Sequence, residues 1–207
     1  MILKVYLVAN PKGGSGKSTL ATNLAGLLAH QEKDAKVMLG DVDRQQSAAF
    51  WLQRRPPTAL PISNWEIEPG KPARPPRGTT HAVLDTPAGL HDEKLKALLK
   101  VADRVLVPVQ PSMFDLMASQ AFFEELAEIR SVRNLPITVV GLRVDERTRS
   151  AEQFHRFIES TGLPLLTSLR NTQNYVQLAA HGLTLFDVAP HRVEKDLAQW
   201  EAVRAWI

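Results

Sequence analysis

The chain of 207 residues contains no cysteine. Disulfides, thiolate metal sites and iron–sulfur ligation are therefore excluded, and with them an electron carrier built on a cluster. No run of 18 apolar residues occurs, so no membrane-spanning helix is expected. The first residues lead straight into an apolar strand without the pattern of a signal peptide, and the expectation is a cytoplasmic protein. None of the six histidines pairs with another at metal-ligand spacing, and no serine–histidine arrangement for nucleophilic catalysis can be picked out. An excess of one charge is lacking too. With 25 Lys and Arg against 22 Asp and Glu the net charge is +3, which is compatible with nucleic-acid contact without requiring it. The length suits one domain over residues 1–207, large enough for a sizeable core.

What is present is a phosphate-binding pattern. Val5 to Ala9 form an apolar run that reads as a buried strand, followed by Asn10-Pro11-Lys12-Gly13-Gly14-Ser15-Gly16-Lys17-Ser18-Thr19. Leu20, Ala21, Leu24, Ala25, Leu27 and Leu28 then recur at helical spacing. Glycines at 13, 14 and 16 permit backbone conformations barred to other residues, so successive N–H groups can converge on one anion at the positive end of the helix. Lys17 is placed to reach the outer phosphates and Ser18 to offer its hydroxyl to Mg²⁺. Pro11 stands where the general pattern asks for glycine.

Two further apolar strands close on carboxylates. Lys36 to Leu39 lead to Asp41 and Asp43, and His81 to Leu84 lead to Asp85, with Gly89 four residues on. Carboxylates at the C-terminal ends of strands lie where open α/β sheets bind ligands. The plainer alternative for Asp41 and Asp43 is to cap the helix that follows. A strand closing on aspartate also has the shape of a Walker B element, whose carboxylate holds Mg²⁺ through a water.

Lys12, a second lysine just before the glycines, resembles the deviant Walker A sequence Lys-Gly-Gly-x-Gly-Lys-Ser/Thr of the ParA/MinD/nitrogenase-iron-protein group. Asp41, Asp43 and Gln45 match that family's Asp-x-Asp-Pro-Gln, with Arg44 in place of the proline. The segment Asp85 to Gly89 is similar to its switch segment, and Pro108 to Asp115 to a stretch that in ParA-type proteins continues into a helix near the dimer face. The resemblance covers nearly the whole length and is nearest the short, ParF-like branch. It implies a P-loop NTPase with ATP and Mg²⁺ as cofactors, held by Lys12, Gly13, Gly14, Ser15, Gly16, Lys17, Ser18 and Thr19. Ser18, Asp41 and Asp85 would serve the metal, Asp43 would position the attacking water, and Lys12 would reach across an ATP-dependent homodimer to the partner's phosphates. Non-specific DNA binding, a ParB-like or cargo adaptor that stimulates hydrolysis, and placement on the nucleoid follow from the same resemblance. No DNA-binding domain is expected before Met1.

The remaining chain supports an α/β fold: a mostly parallel twisted sheet with helices on both faces, in three layers. Strands are expected at 62–68, 103–109, 137–144 and 163–168, and helices at 46–53, 93–101, 116–129, 151–160 and 171–181. Seven of the 14 prolines fall between Pro56 and Pro76, which predicts an irregular excursion there. Relatives suggest Arg143 to Arg147 as a base-contact region, and Arg170, Asn171 and Tyr175 as part of a partner- and DNA-facing region or simply structural. A final helix from Pro190 to Ile207 carries Val193, Leu197, Trp200, Val203 and Trp206 along one side. Its other face mixes acidic and basic residues, which favours packing on the sheet over a membrane surface. A P-loop enzyme acting on a small molecule, and a membrane-associated MinD-like regulator, are the alternatives to a ParA-type switch.

Overall fold

The computed structural model describes residues 3–43, 46–67 and 73–207. The expected position of Gln45, the question of Arg44, and the end of the 62–68 strand lie outside the described residues. In chain order the elements are β1 (Lys4–Val8), α1 (Lys17–Gln31), β2 (Val37–Asp41), α2 (Ser47–Gln53), β3 (Ile62–Trp65), β4 (His81–Asp85), α3 (Asp92–Val101) and β5 (Arg104–Val109). They continue as α4 (Met113–Arg133), β6 (Ile137–Leu142), α5 (Arg149–Ser160), β7 (Leu165–Leu169), α6 (Gln173–Ala180) and α7 (Glu194–Trp206).

The seven strands form one sheet in the order β3-β2-β4-β1-β5-β6-β7, and every described pair is parallel. Parallel strands are covered on both faces, which is why β1, β4 and β5 read as nearly unbroken apolar runs. Alternation then sends side chains to two separate cores. Val5 and Leu7 of β1 join Leu84, Leu95, Phe122, Phe123, Leu126 and Phe154 on the face covered by α3, α4 and α5. Tyr6 and Val8 join Leu24, Leu28, Trp51, Leu106, Trp200 and Val203 on the face covered by α1, α2 and α7. The expected three layers are present.

β1 lies between β4 and β5, so the chain builds one half of the sheet before crossing to the other. That reversal opens a crevice at the C-terminal end of β1, the place where such sheets bind ligands. The loop after Val8 and the carboxylates ending β2 and β4 all meet there.

Several boundaries depart from the expected ones. α4 begins at Met113, three residues before Leu116, so residues expected to precede the helix belong to its first turn, where Met113 and Phe114 are exposed and Asp115 is buried. Thr172, not Asn171, caps α6, its hydroxyl accepting from the Asn174 N–H at 3.3 Å. The last helix is not continuous from Pro190: a 3-10 turn covers Pro190–Arg192, and Val193 leaves helical geometry at φ −133° before α7 begins. Val193, Trp200 and Val203 are buried, as a helix packed on the sheet requires. No helix of the described residues is long and apolar enough to cross a membrane.

Candidate nucleotide site

The glycine loop is held in shape by its neighbours. The Asn10 side chain donates to the Pro108 carbonyl at 2.8 Å and accepts from the Lys12 N–H at 2.8 Å, tying the loop's start to the end of β5. The Gly89 N–H donates to the Pro11 carbonyl at 2.7 Å, and the Gln110 amide to the Gly14 carbonyl at 2.6 Å. Gly16 caps α1 at φ 92°, a left-handed conformation open to glycine, and an added Cβ would meet Leu142 Cδ1 at 2.4 Å. The loop is thereby fixed at the N-terminus of α1, where the helix dipole favours an anion.

Lys17 is buried at the start of α1, its Nζ donating to the Lys12 carbonyl at 3.0 Å. Burial lowers its pKa, while the charges of Asp85 and Asp43 act in the opposite sense. Asp85 ends β4 beside Asp41 of β2, with which it is in register. Neither Asp85 oxygen has a hydrogen-bond partner among the described residues. Burial pushes its pKa up to about 7; the nearby Ser18 hydroxyl counters part of that, and the Asp41 charge adds to it. The Ser15 hydroxyl is buried without a partner as well.

Buried groups of this kind are stabilised by a ligand that supplies the missing contacts. Ser18 and Asp85 fit Mg²⁺ accompanying a phosphate chain, a hydroxyl and a carboxylate being the oxygen donors that ion prefers. Among the described residues no group of three or more His, Cys, Asp and Glu has metal-holding geometry. Mg²⁺ ordinarily completes its shell with phosphate oxygens and waters. Asp41 is held by backbone N–H groups. One oxygen accepts from the Asp43 N–H at 2.9 Å and the other from the N–H groups of Ala48 and Ala49 at 2.8 and 3.2 Å. The capping alternative thus describes Asp41 well: it anchors α2 and fixes the backbone of Asp43, using three of the roughly four lone-pair directions of a carboxylate. Asp43 itself stands close enough to influence both Lys17 and Asp85.

Lys12 is outside the cradle. Its ammonium lies 2.6 Å from Asp115 in the first turn of α4, with the lysine side chain one-third exposed. Around it Met113, Phe114 and Met117 leave more than half of their surface open to solvent.

Behind the glycine loop a cavity of about 350 Å³ opens between Gly16, Thr19 and Leu20 on one side and Arg143, Arg170 and Tyr175 on the other. Its size falls in the range of small-molecule sites. Arg143, at φ 56°, reaches it, whereas Arg147 is turned into an exposed pair with Asp145. Only the first residue of the expected base-contact region lines this space. Arg170, Asn171 and Tyr175, expected to be structural or to face a partner, line it as well.

A model of the CobQ/CobB/MinD/ParA nucleotide-binding domain matches residues 6–185. The chain belongs to this family. Its sequence is 30% identical to maintenance of carboxysome distribution protein A of Gloeobacter kilaueensis over 186 residues, spanning 88% of this chain and 83% of that one. It is also 30% identical to the chromosome-partitioning ATPase Soj of Thermus thermophilus, over 70% of this chain and 72% of that one. Among solved structures, an ATP complex of a variant Cyanothece McdA superposes with a TM-score of 0.67 at 19% identity, over 97% of this chain and 96% of that one. The family resemblance read from Lys12 to Asp115 is borne out, as is the P-loop fold. The narrower likeness to the ParF-like branch has no such support. The glycine loop lies within the matched residues.

Proposed function

We propose that this chain is a Mg²⁺-dependent ATPase switch of the ParA type, a single domain that closes as a homodimer on ATP, binds DNA without sequence preference, and distributes a plasmid, chromosome or protein cargo. The observation that carries this reading is the placement of the two lysines. Lys17 already occupies the cradle, so Lys12, at the rim and beside an exposed apolar turn, is not needed by its own chain's phosphates. A second copy docking over Met113, Phe114 and Met117 would cover that surface and bring Lys12 to the partner's triphosphate. Ser18 and Asp85 would hold Mg²⁺, which withdraws charge from the phosphates when bound, while Asp43 would orient the attacking water. Hydrolysis would be slow until an adaptor, ParB-like or specific to the cargo, completes the closed state. The names of the relatives, one concerned with carboxysome distribution and one with chromosome partitioning, support a positioning role.

DNA binding by phosphate contacts has its own signature. Retention on random-sequence DNA is expected with ATP and not with ADP, and to fall at least about tenfold between about 50 and about 200 mM salt. ATP-dependent retention on anionic lipid vesicles with none on DNA would instead favour a membrane-associated regulator. That outcome is not expected, because the apolar side of α7 is buried against the sheet.

Lys12 must leave Asp115 before it can serve a partner. A partly buried ion pair of this kind contributes about 1 kcal/mol. Asp115→Asn is therefore expected to lower the ATP concentration for half-maximal dimerisation by about fivefold. Light scattering across an ATP titration measures it; a higher midpoint would mean that Asp115 supports the closed state.

A further inference from the structure

Arg170 follows β7 and lines the cavity behind the glycine loop, where its side chain is 40% exposed. Its Nε donates to Asp196 Oδ1 at 2.5 Å, and its backbone N–H to the Gln199 side chain at 2.9 Å. The second Asp196 oxygen accepts from the Asn174 amide at 2.5 Å. Asp196, in the first turn of α7, is fully buried. One turn on, the Trp200 indole donates to the Tyr175 hydroxyl at 2.9 Å, and both rings line the same cavity.

We infer that Asp196 is a positioning residue for the nucleoside end of the site, aiming the Arg170 guanidinium at the base. The inference rests on reading the cavity as the continuation of the proposed ATP site. A neutral asparagine at 196 would serve equally well to tie the loop to α7 through Asn174. What a carboxylate adds is a charge-assisted bond to one edge of a guanidinium. A buried carboxylate is unfavourable unless paired, so its presence here needs a cationic partner, and that partner is the residue open to the cavity. With Nε engaged, the planar fork keeps four N–H donors for ring nitrogens or ribose oxygens, and its rotamer freedom is already removed before the ligand arrives. Asp196 acts through Arg170 and does not itself reach the cavity.

Calorimetric titrations with Mg²⁺·ATP and with Mg²⁺·tripolyphosphate, which lacks base and sugar, separate the two ends of the site. Arg170→Ala is expected to weaken ATP binding about tenfold and leave tripolyphosphate binding within about twofold. Asp196→Asn is expected to act in the same direction, and to add nothing once Arg170 is alanine, since a residue acting only through another shows no effect in its absence. Equal losses for ATP and tripolyphosphate, or an undiminished Asp196→Asn effect in the Arg170→Ala background, would overturn the proposal. Should Asp196→Asn fail to fold, Arg170→Lys keeps the charge and removes the fork. ATP binding close to that of Arg170→Ala then supports the aimed fork, and unaltered binding overturns it. If the unaltered chain bound neither probe, the ATP reading itself would fail first.

Discussion

Asp85→Asn is expected to melt at a higher temperature than the unaltered chain at pH 8, and to hydrolyse ATP at least about a hundredfold more slowly. The gain in stability comes from the carboxyl's environment. Its pKa is about 7 in the fold against the usual aspartate value of 3.8, because burial disfavours the charged form by more than the Ser18 hydroxyl and the Lys17 charge restore. An acid that binds its proton more tightly when folded makes the fold lose stability as pH rises from about 4 to about 7, and the penalty persists above that. The shift corresponds to roughly 4 kcal/mol at most, and an asparagine amide buried in the same place gives part of it back as its own desolvation. A net gain of about 1 to 2 kcal/mol would raise the melting temperature by roughly 2 to 8 °C for a chain of this size. Calorimetry at pH 8 and pH 4.5 checks the sign: the gain should be present at the first and largely absent at the second. Equal destabilisation at both would show that Asp85 is paired in the fold. The loss of turnover would follow because, on the proposed function, this carboxylate would hold Mg²⁺ through a water.

Lys17→Ala is expected to reduce ATP affinity by at least about a hundredfold, the largest effect on binding of any single side chain. The lysine sits at the positive end of α1, where its charge and the loop N–H groups would act on the same phosphates. Burial lowers its pKa, so the unliganded fold carries the ammonium at some disadvantage and gains no stability from it. Removing it should leave the melting temperature within a few degrees while calorimetric ATP binding disappears. Affinity within about threefold of the unaltered chain would place the triphosphate elsewhere.

The glycine loop, the strands ending at Asp41 and Asp85, and the two-sided cover of the sheet were legible because each is local. An apolar run followed by glycine, lysine and hydroxyl states its geometry within a dozen residues. Asp41 shows where that stops: a carboxylate at a strand end suits a metal's water shell and a helix cap alike, and its bonds to the N–H groups of Ala48 and Ala49 appear only in the fold. The partner of Lys12 was hidden for a different reason. Asp115 is about a hundred residues away, and it reaches the loop because β5 lies beside β1 and α4 starts three residues earlier than its apolar spacing suggests. Gln110, which holds the Gly14 carbonyl, was obscured in the same way. The cavity behind the glycine loop left the faintest trace. Arg170, Tyr175, Asp196 and Trp200 come together only when α6 and α7 fold back beside the loop; in the sequence Asp196 reads as part of the charged face of the last helix, whereas in the fold it is fully buried.

The central claim is that two chains close on ATP with Lys12 serving the neighbouring site. Light scattering of the purified chain with and without ATP tests it most directly when Lys12→Ala and Asp43→Ala are measured alongside. The account predicts a dimer with ATP for the unaltered chain, a lasting one for Asp43→Ala because hydrolysis is blocked, and a monomer for Lys12→Ala that still binds ATP. One mass for all three, with or without nucleotide, would contradict it.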